Sequence, residues 1–379
     1  QVQLGSVYAN DTLVAAIPGV PSGRRILINV VPKLFDGEGT ASSPYLIKSK
    51  ADFQTLHTAV MHYDHRGDHF LQTSDVDFGL SADFAGVAAG NHLRQFAGVF
   101  DGGNHRIRRL RIHSAVLDDN GKTLSGTYNY GGLFHIGAKE SVLRNIVIDA
   151  DCDFDFYGNA APVVGYTLGR VENCRNYASV KNAYSRSGGI AGSTEEGAVV
   201  AGCYNAGDIS AAKADYIGGI TGYNLGAITG CTNVGSVNTE YHEASLDTDG
   251  FTAKMVDYIN SRKASIDSSD NSGSSTTNVA TDTGGIAGYS SGLLLSDSNY
   301  GSVGYPHVGY NVGGVVGRSS GYLSGCINHG RVNGRKEVGG IAGQMEPDII
   351  LVADEDGLSR LEEELNRLNA MVDRALRDM

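Results

Sequence analysis

The chain has 379 residues, of which 52 are Gly, 7 Pro, 19 Tyr and none Trp, and its formal charge is −12. So much glycine with so little proline points to a turn-rich all-β repeat rather than an α/β enzyme. The acidic balance argues against nucleic acid or an anionic membrane as partner, the lack of any run of 18 apolar residues argues against membrane insertion, and no cofactor is expected.

Residues 1–6, Gln-Val-Gln-Leu-Gly-Ser, read as a cloning remnant, and with no signal peptide ahead of the first coil the chain is expected to be already processed. Residues 7–69 are expected to hold N-terminal strands and a capping helix. Two apolar runs, 13–17 and 26–31, precede the turn Asp36-Gly-Glu-Gly-Thr, and Ser49 then stands as an N-cap before Phe53, Leu56 and Val60 at helical spacing. Such a helix would plug the first open edge of a solenoid.

Residues 70–346 are read as a parallel β-helix. Gly-Gly-Ile-Ala-Gly begins at 188, 284 and 339, with Gly-Gly-Ile-Thr-Gly at 218 and Gly-Gly-Val-Val-Gly at 313. Degenerate copies begin at 131 and 161, so the spacings are 30, 27, 30, 66, 29 and 26. A period near 28 marks a solenoid, and short apolar runs without helical spacing make each unit a set of short strands. A second phrase, Cys-x-Asn-x-x-x-(Val/Ile), places Cys174, Cys203, Cys231 and Cys326 two residues before Asn176, Asn205, Asn233 and Asn328; Asp297 replaces the cysteine before Asn299. In stacked coils these asparagines form a buried hydrogen-bonded ladder. The cysteines, with Cys152, are expected to be free thiols, since no spacing suits zinc and parallel Cβ vectors suit a disulfide poorly. The glycine pairs fit corners that need positive φ or close approach of coils. Ile107, Leu110 and Ile112 align with Leu143, Ile146 and Ile148 at a spacing of 36, so the coils shorten toward the C-terminus.

The 66-residue gap holds an insertion at 238–283, with Phe251, Met255, Tyr258 and Ile259 suggesting a short helix; it is either a binding element or a silent excursion. Residues 347–379 change period. Leu358, Leu361, Leu365, Leu368, Val372, Ala375 and Met379 form a heptad seam, read as the start of a coiled coil that a longer parent chain continues C-terminally. The fold class is therefore all-β: a right-handed parallel β-helix solenoid with an N-terminal capping helix and a C-terminal amphipathic helix.

Phe35-Asp-Gly-Glu-Gly-Thr, Pro44-Tyr-Leu-Ile, the Leu56 helix, Asp75-Val-Asp-Phe, Phe100-Asp-Gly-Gly-Asn-His and the Gly-Gly-Ile-Ala-Gly units together resemble the GLUG-repeat region of large Gram-positive bacterial surface proteins, over about residues 34–350. The resemblance implies a secreted or wall-attached β-helix, and similar repeats accompany the catalytic domain of proteases that cleave immunoglobulin A1. The His-Glu-x-x-His motif of that catalytic domain is missing, so location and scaffold carry over and protease activity does not.

Three groups of residues are candidate sites. Asp149, Asp151, Asp153 and Asp155 alternate with Ala150, Cys152, Phe154 and Phe156, which on a strand sets four carboxylates outward and the apolar partners inward. They suit a solvated face screened by Arg106, Arg108, Arg109 and Arg111, a calcium site, or the acid and base of a glycosidase. Arg66-Gly67-Asp68 and the histidines His57, His62, His65 and His69 match an integrin tripeptide and a loose metal cluster, and are read instead as a polar turn and surface histidines. Tyr166, Tyr204, Tyr223, Tyr289, Tyr300, Tyr305, Tyr310 and Tyr322 form either an exposed contact stripe, the preferred reading, or corner tyrosines packed between coils. The expected function is non-catalytic binding of a host glycoprotein or glycan, immunoglobulin or mucin among the candidates, at the cell surface. A carbohydrate-active enzyme using Asp149–Asp155 and a structural spacer are the alternatives.

Overall fold

The computed structural model describes residues 34–62, 65–80, 84–87, 95–113, 130–182, 185–211, 214–240 and 281–346. The expected strands at 7–33, the core of the insertion at 241–280 and the heptad segment 347–379 lie outside them. The chain winds as a parallel β-helix whose strands fall into five sheets of nine, eight, four, seven and seven strands, each joined to its equivalents one coil away. One coil shows the plan: Arg170–Glu172, Arg175–Asn176, Val180–Asn182, Ser185–Gly188 and Ala191–Thr194 occupy the five sheets in turn, and Val199–Ala201 returns to the first. All thirty strand pairings among the described residues are parallel, which places equivalent side chains about 4.8 Å apart.

The first sheet stacks Phe70, Phe100, Leu143, Val171, Val200, Ile228, Leu294 and Leu323 in one inward column. This register corrects the spacing of 36 read from the sequence. Leu143 lies over Phe100, Ile148 over Ile107 and Phe154 over Ile112, displacements of 43, 41 and 42 residues. The apolar pattern Ile-x-x-Leu-x-Ile recurs within a coil as well as between coils, so a match of pattern alone chose the wrong wall. Later coils of the same column advance by 28 or 29 residues, apart from the one that holds the insertion.

Core side chains taper along the axis. Phe53, Phe70, Phe96, Phe100, Phe134, Phe154 and Phe156 fill the wide N-terminal coils, whereas Val, Ile and Ala fill the later ones. Helix α1 (Lys50–His62) lays Phe53, Leu56, Ala59 and Val60 on this end, with the Phe53 ring 5.6 Å from Phe78 and 5.7 Å from Phe100. Its start is capped by Ser49: the Asp52 N–H donates to Ser49 Oγ, and the Asp52 carboxylate accepts from Ser49 Oγ and the Lys48 N–H.

The two repeated phrases meet inside the solenoid. Asn176, Asn205, Asn233 and Asn299 each donate a 2.8 Å amide hydrogen bond to the asparagine of the next coil, ending on Asn328. Each also donates to a carbonyl two residues on, from Ala178 through Gly301, so the ladder is closed within the coils and between them. The glycine pairs owe their identity to close approach, since none of Gly188, Gly189, Gly218, Gly219, Gly284, Gly285, Gly313 and Gly314 has positive φ. A Cβ on Gly189, Gly219, Gly285 or Gly314 would lie 2.1–2.4 Å from the nearest atom of its own coil's ladder asparagine and from a carbonyl of the next coil. The interior is so narrow there that glycine faces asparagine directly.

Of the insertion expected within 238–283, the last residues belong to a coil, since Thr281–Gly284 is a strand in which Thr283 and Gly284 pair with Ile217 and Gly218; Val237, just ahead of the insertion, bridges Ile209 and Val303.

Candidate functional site

Asp149, Asp151 and Asp153 are built into an ion-pair ladder, and Asp155 follows Asp153 on the same strand. Only Asp153–Phe156 is strand; Asp149 and Asp151 lie on the turn before it, and Ala150 is exposed rather than inward, because the chain bends there. Asp149 accepts from Arg106 at 2.9 Å, Asp151 pairs with Arg108 at 3.3 Å and accepts the Arg109 N–H at 2.9 Å, and Asp153 pairs with Arg111 at 3.0 Å. Asp155 sits in register between His113 and Lys181 of the flanking coils. The guanidinium of Arg109 turns the other way and forks onto Asp77. The hydrogen bond from Arg106 holds the Asp149 carboxyl below the usual carboxylate range. Among the described residues no group of three or more His, Cys, Asp or Glu side chains is placed to hold a metal ion.

Arg66-Gly67-Asp68 forms a turn with Gly67 at φ +82°, and Asp68 is 2.7 Å from Nδ1 of buried His65. His57 Nδ1 lies 2.6 Å from the Gly86 carbonyl and His62 is exposed, so these histidines face different partners. The five cysteines are free; Cys174, Cys203 and Cys231 are buried in one column, each thiol pointing at carbonyls of its own and the preceding coil. Asp297 occupies the next place in that column. One oxygen accepts the Cys231 N–H at 2.8 Å, the other has no hydrogen-bond partner among the described residues, and burial pushes the carboxyl up to about 7.

The eight candidate tyrosines do not share one stripe. Tyr166, Tyr223 and Tyr289 stack in a single column of the fifth sheet, interrupted by Ser193. Tyr310 belongs to the fourth sheet, Tyr322 to the first, and Tyr204 to the second, while Tyr300 stacks on His329 at 4.8 Å. The spread follows from phase. Tyr166, Tyr223 and Tyr289 each stand five residues after the start of a glycine phrase, Tyr310 three before one, and Tyr204 and Tyr300 on either side of ladder asparagines.

What assembles around the first three is a mixed aromatic and cationic flank that sequence reasoning missed. The strands on either side of each glycine pair turn their outward side chains toward one another, so that Arg186 Nη1 meets Ser193 Oγ at 3.3 Å and the Tyr216 ring meets Tyr223 edge-on at 5.0 Å. Tyr223 stacks on Tyr289 at 4.9 Å, and Tyr130 lies 5.2 Å from Tyr166. The Arg186 guanidinium lies 3.9 Å above the Tyr223 ring, and that of Arg318 lies 5.0 Å from Tyr289 while donating to buried Asp282 at 3.0 Å. Arg318 is thus matched by a carboxylate, whereas Arg186 has none within ion-pair distance among the described residues. Burial raises the Tyr130, Tyr166, Tyr216 and Tyr223 hydroxyls above the usual tyrosine range, with the Glu195 carboxylate adding to the effect at Tyr166. The flank therefore presents neutral phenols, half-buried rings and one unmatched guanidinium.

No protein-family model and no curated protein sequence matches the chain. A crystal structure described as that of "a putative immunoglobulin A1 protease from Bacteroides ovatus" matches with a TM-score of 0.55 and 16% identity, over 83% of this chain and 86% of that one. At that identity the likeness establishes the fold, a parallel β-solenoid.

Proposed function

We propose that the chain is a non-catalytic binding module of a secreted or wall-attached bacterial surface protein of the GLUG-repeat type, and that it contacts a host glycoprotein or glycan through the tyrosine–arginine flank. The observation that carries this reading is the column Tyr166, Tyr223 and Tyr289 with Arg186 laid on Tyr223. Tyrosine presents a large contact area at little entropic cost, and arginine on an aromatic face is desolvated and held for an incoming acceptor. Immunoglobulin stands among the candidate partners because the structural neighbour is described as a putative immunoglobulin A1 protease.

The second reading, a carbohydrate-active enzyme on Asp149–Asp155, is weaker. A general acid needs a raised carboxyl pKa, and Arg106 lowers that of Asp149. A structural spacer is the remaining alternative. The test is an interaction array of the purified chain against immunoglobulins, mucins, matrix proteins and glycans, with and without calcium. Saturable binding to one class supports the module; a blank at micromolar concentration favours the spacer, polysaccharide turnover the enzyme, and calcium-dependent binding would return the Asp149–Asp155 ladder to consideration.

A further inference from the structure

A corner column between the first and second sheets holds a left-handed residue in six successive coils. Asn145, Asn173, Gly202, Gly230, Ser296 and Gly325 take φ of 54°, 53°, 60°, 60°, 56° and 65°. Asparagine and serine therefore serve this corner as well as glycine does, in keeping with their tolerance of the left-handed region. A Cβ on Gly230 would meet no atom within 4 Å, and one on Gly202 would approach only the Asn173 side chain. Packing does not demand glycine at either place. What two successive glycines do is remove the side chains that would otherwise fill the outer surface, and a depression of about 360 Å³ opens there, lined by Arg175, Tyr177, Gly202, Tyr204, Gly230 and Thr232. That is within the range of ligand sites, about 300–1,000 Å³.

The walls carry consistent chemistry. The Tyr177 and Tyr204 rings stand 5.9 Å apart at 51°, giving apolar faces edged by hydroxyls. Arg175 is exposed and forms no ion pair among the described residues, unlike Arg106 in the same column, which is matched by Asp149. Thr232 adds a hydroxyl one coil further on from Tyr204. Backbone donors are already used: the N–H groups of Arg175, Tyr177, Tyr204 and Thr232 donate to Ile146, Ile148, Cys174 and Cys203 carbonyls, and those of Gly202 and Gly230 to Thr229 and Leu295. An extended peptide therefore cannot dock here by adding a strand. Recognition has to run through side chains: a guanidinium fork, two ring faces and hydroxyls.

We propose that this depression is a ligand site, separate from the tyrosine–arginine flank, that takes a carboxylate-bearing sugar unit, with the carboxylate on Arg175, the ring against Tyr204 and Tyr177, and a hydroxyl toward Thr232. The test is saturation-transfer NMR and calorimetry on the full chain with glucuronic acid as probe, and glucose and an aspartyl dipeptide as comparisons. The expected result is binding of glucuronic acid but of neither comparison. Arg175→Gln should abolish the preference for the acidic sugar. Gly230→Asn, which adopts a conformation Asn145 and Asn173 already hold, should keep the melting temperature and weaken binding by about tenfold or more by filling the depression. If Gly230→Asn lowers the melting temperature, the exposed Arg175→Gln variant decides alone. No transfer from glucuronic acid at millimolar concentration, binding indifferent to both substitutions, or equal binding of the dipeptide would each overturn the proposal.

Discussion

Asn205 accepts an amide hydrogen bond from Asn176, donates one to Asn233 and donates another to the Gly207 carbonyl, all within a fully buried site. Asn205→Ala leaves the Asn233 oxygen and the Gly207 carbonyl short of a donor, and should destabilise the chain by about 2–4 kcal/mol, read as a lower urea midpoint. Asp297 offers the opposite case, a polar group whose burial is incompletely compensated. Its carboxyl rises from 3.8 unfolded to about 7 folded, so the folded chain holds the extra proton between those values. Stability should therefore fall as pH rises from about 4 to about 7 and level off above, by an amount on the order of 4 kcal/mol. Asp297→Asn should remove that difference; parallel pH profiles for the two proteins would show that the Asp297 proton is not linked to folding. The asparagine spacing was legible in the sequence because an identical residue at a fixed phase can only stack on itself. Thr194, Asn224 and Ser290, which form a second buried polar chain at 2.6 and 2.9 Å, were not, since residue identity changes at every coil and only the register reveals them. The tyrosine–arginine flank is hidden for a related reason: residue type without phase does not reveal which side chains share a column, so Tyr130, Tyr216, Arg186 and Arg318 join Tyr166, Tyr223 and Tyr289 only once the register is known.

At the scale of the element, the unit is a pair of strands bent at a glycine pair with an asparagine opposite. Gly219→Ala places a Cβ about 2.3 Å from both the Asn233 side chain and the Gly285 carbonyl. Removing the asparagine relieves only the first contact, so Asn233→Ala should not rescue Gly219→Ala. The expected loss for the single variant is about 3 kcal/mol or more by denaturant titration, and a double variant as stable as Asn233→Ala alone would contradict it. The helix at 50–62 was legible because Ser49, Asp52 and the Phe53-Leu56-Val60 spacing are local signals. Which apolar run covers which was not, because Ile107-x-x-Leu110-x-Ile112 resembles Leu143-x-x-Ile146-x-Ile148 while lying on different walls.

For the whole molecule, continuity of the coils sets where the insertion ends. Eight residue steps join Ile209 to Ile217, and Val237 and Thr283 hold the equivalent places one coil on. Replacing 241–280 by Gly-Ser therefore preserves the winding and should leave the melting temperature nearly unchanged, whereas deleting 249–283 removes the paired strand Thr281–Thr283 and should lower it. The central claim is that this solenoid binds through one flank. Binding of the wild-type chain and an Arg186→Gln/Tyr223→Ala variant, measured side by side against the host glycoprotein and glycan panel, tests it most directly. The account predicts saturable wild-type binding that the variant loses with its parallel-sheet circular dichroism intact; equal binding by both proteins, or none by either, would contradict it.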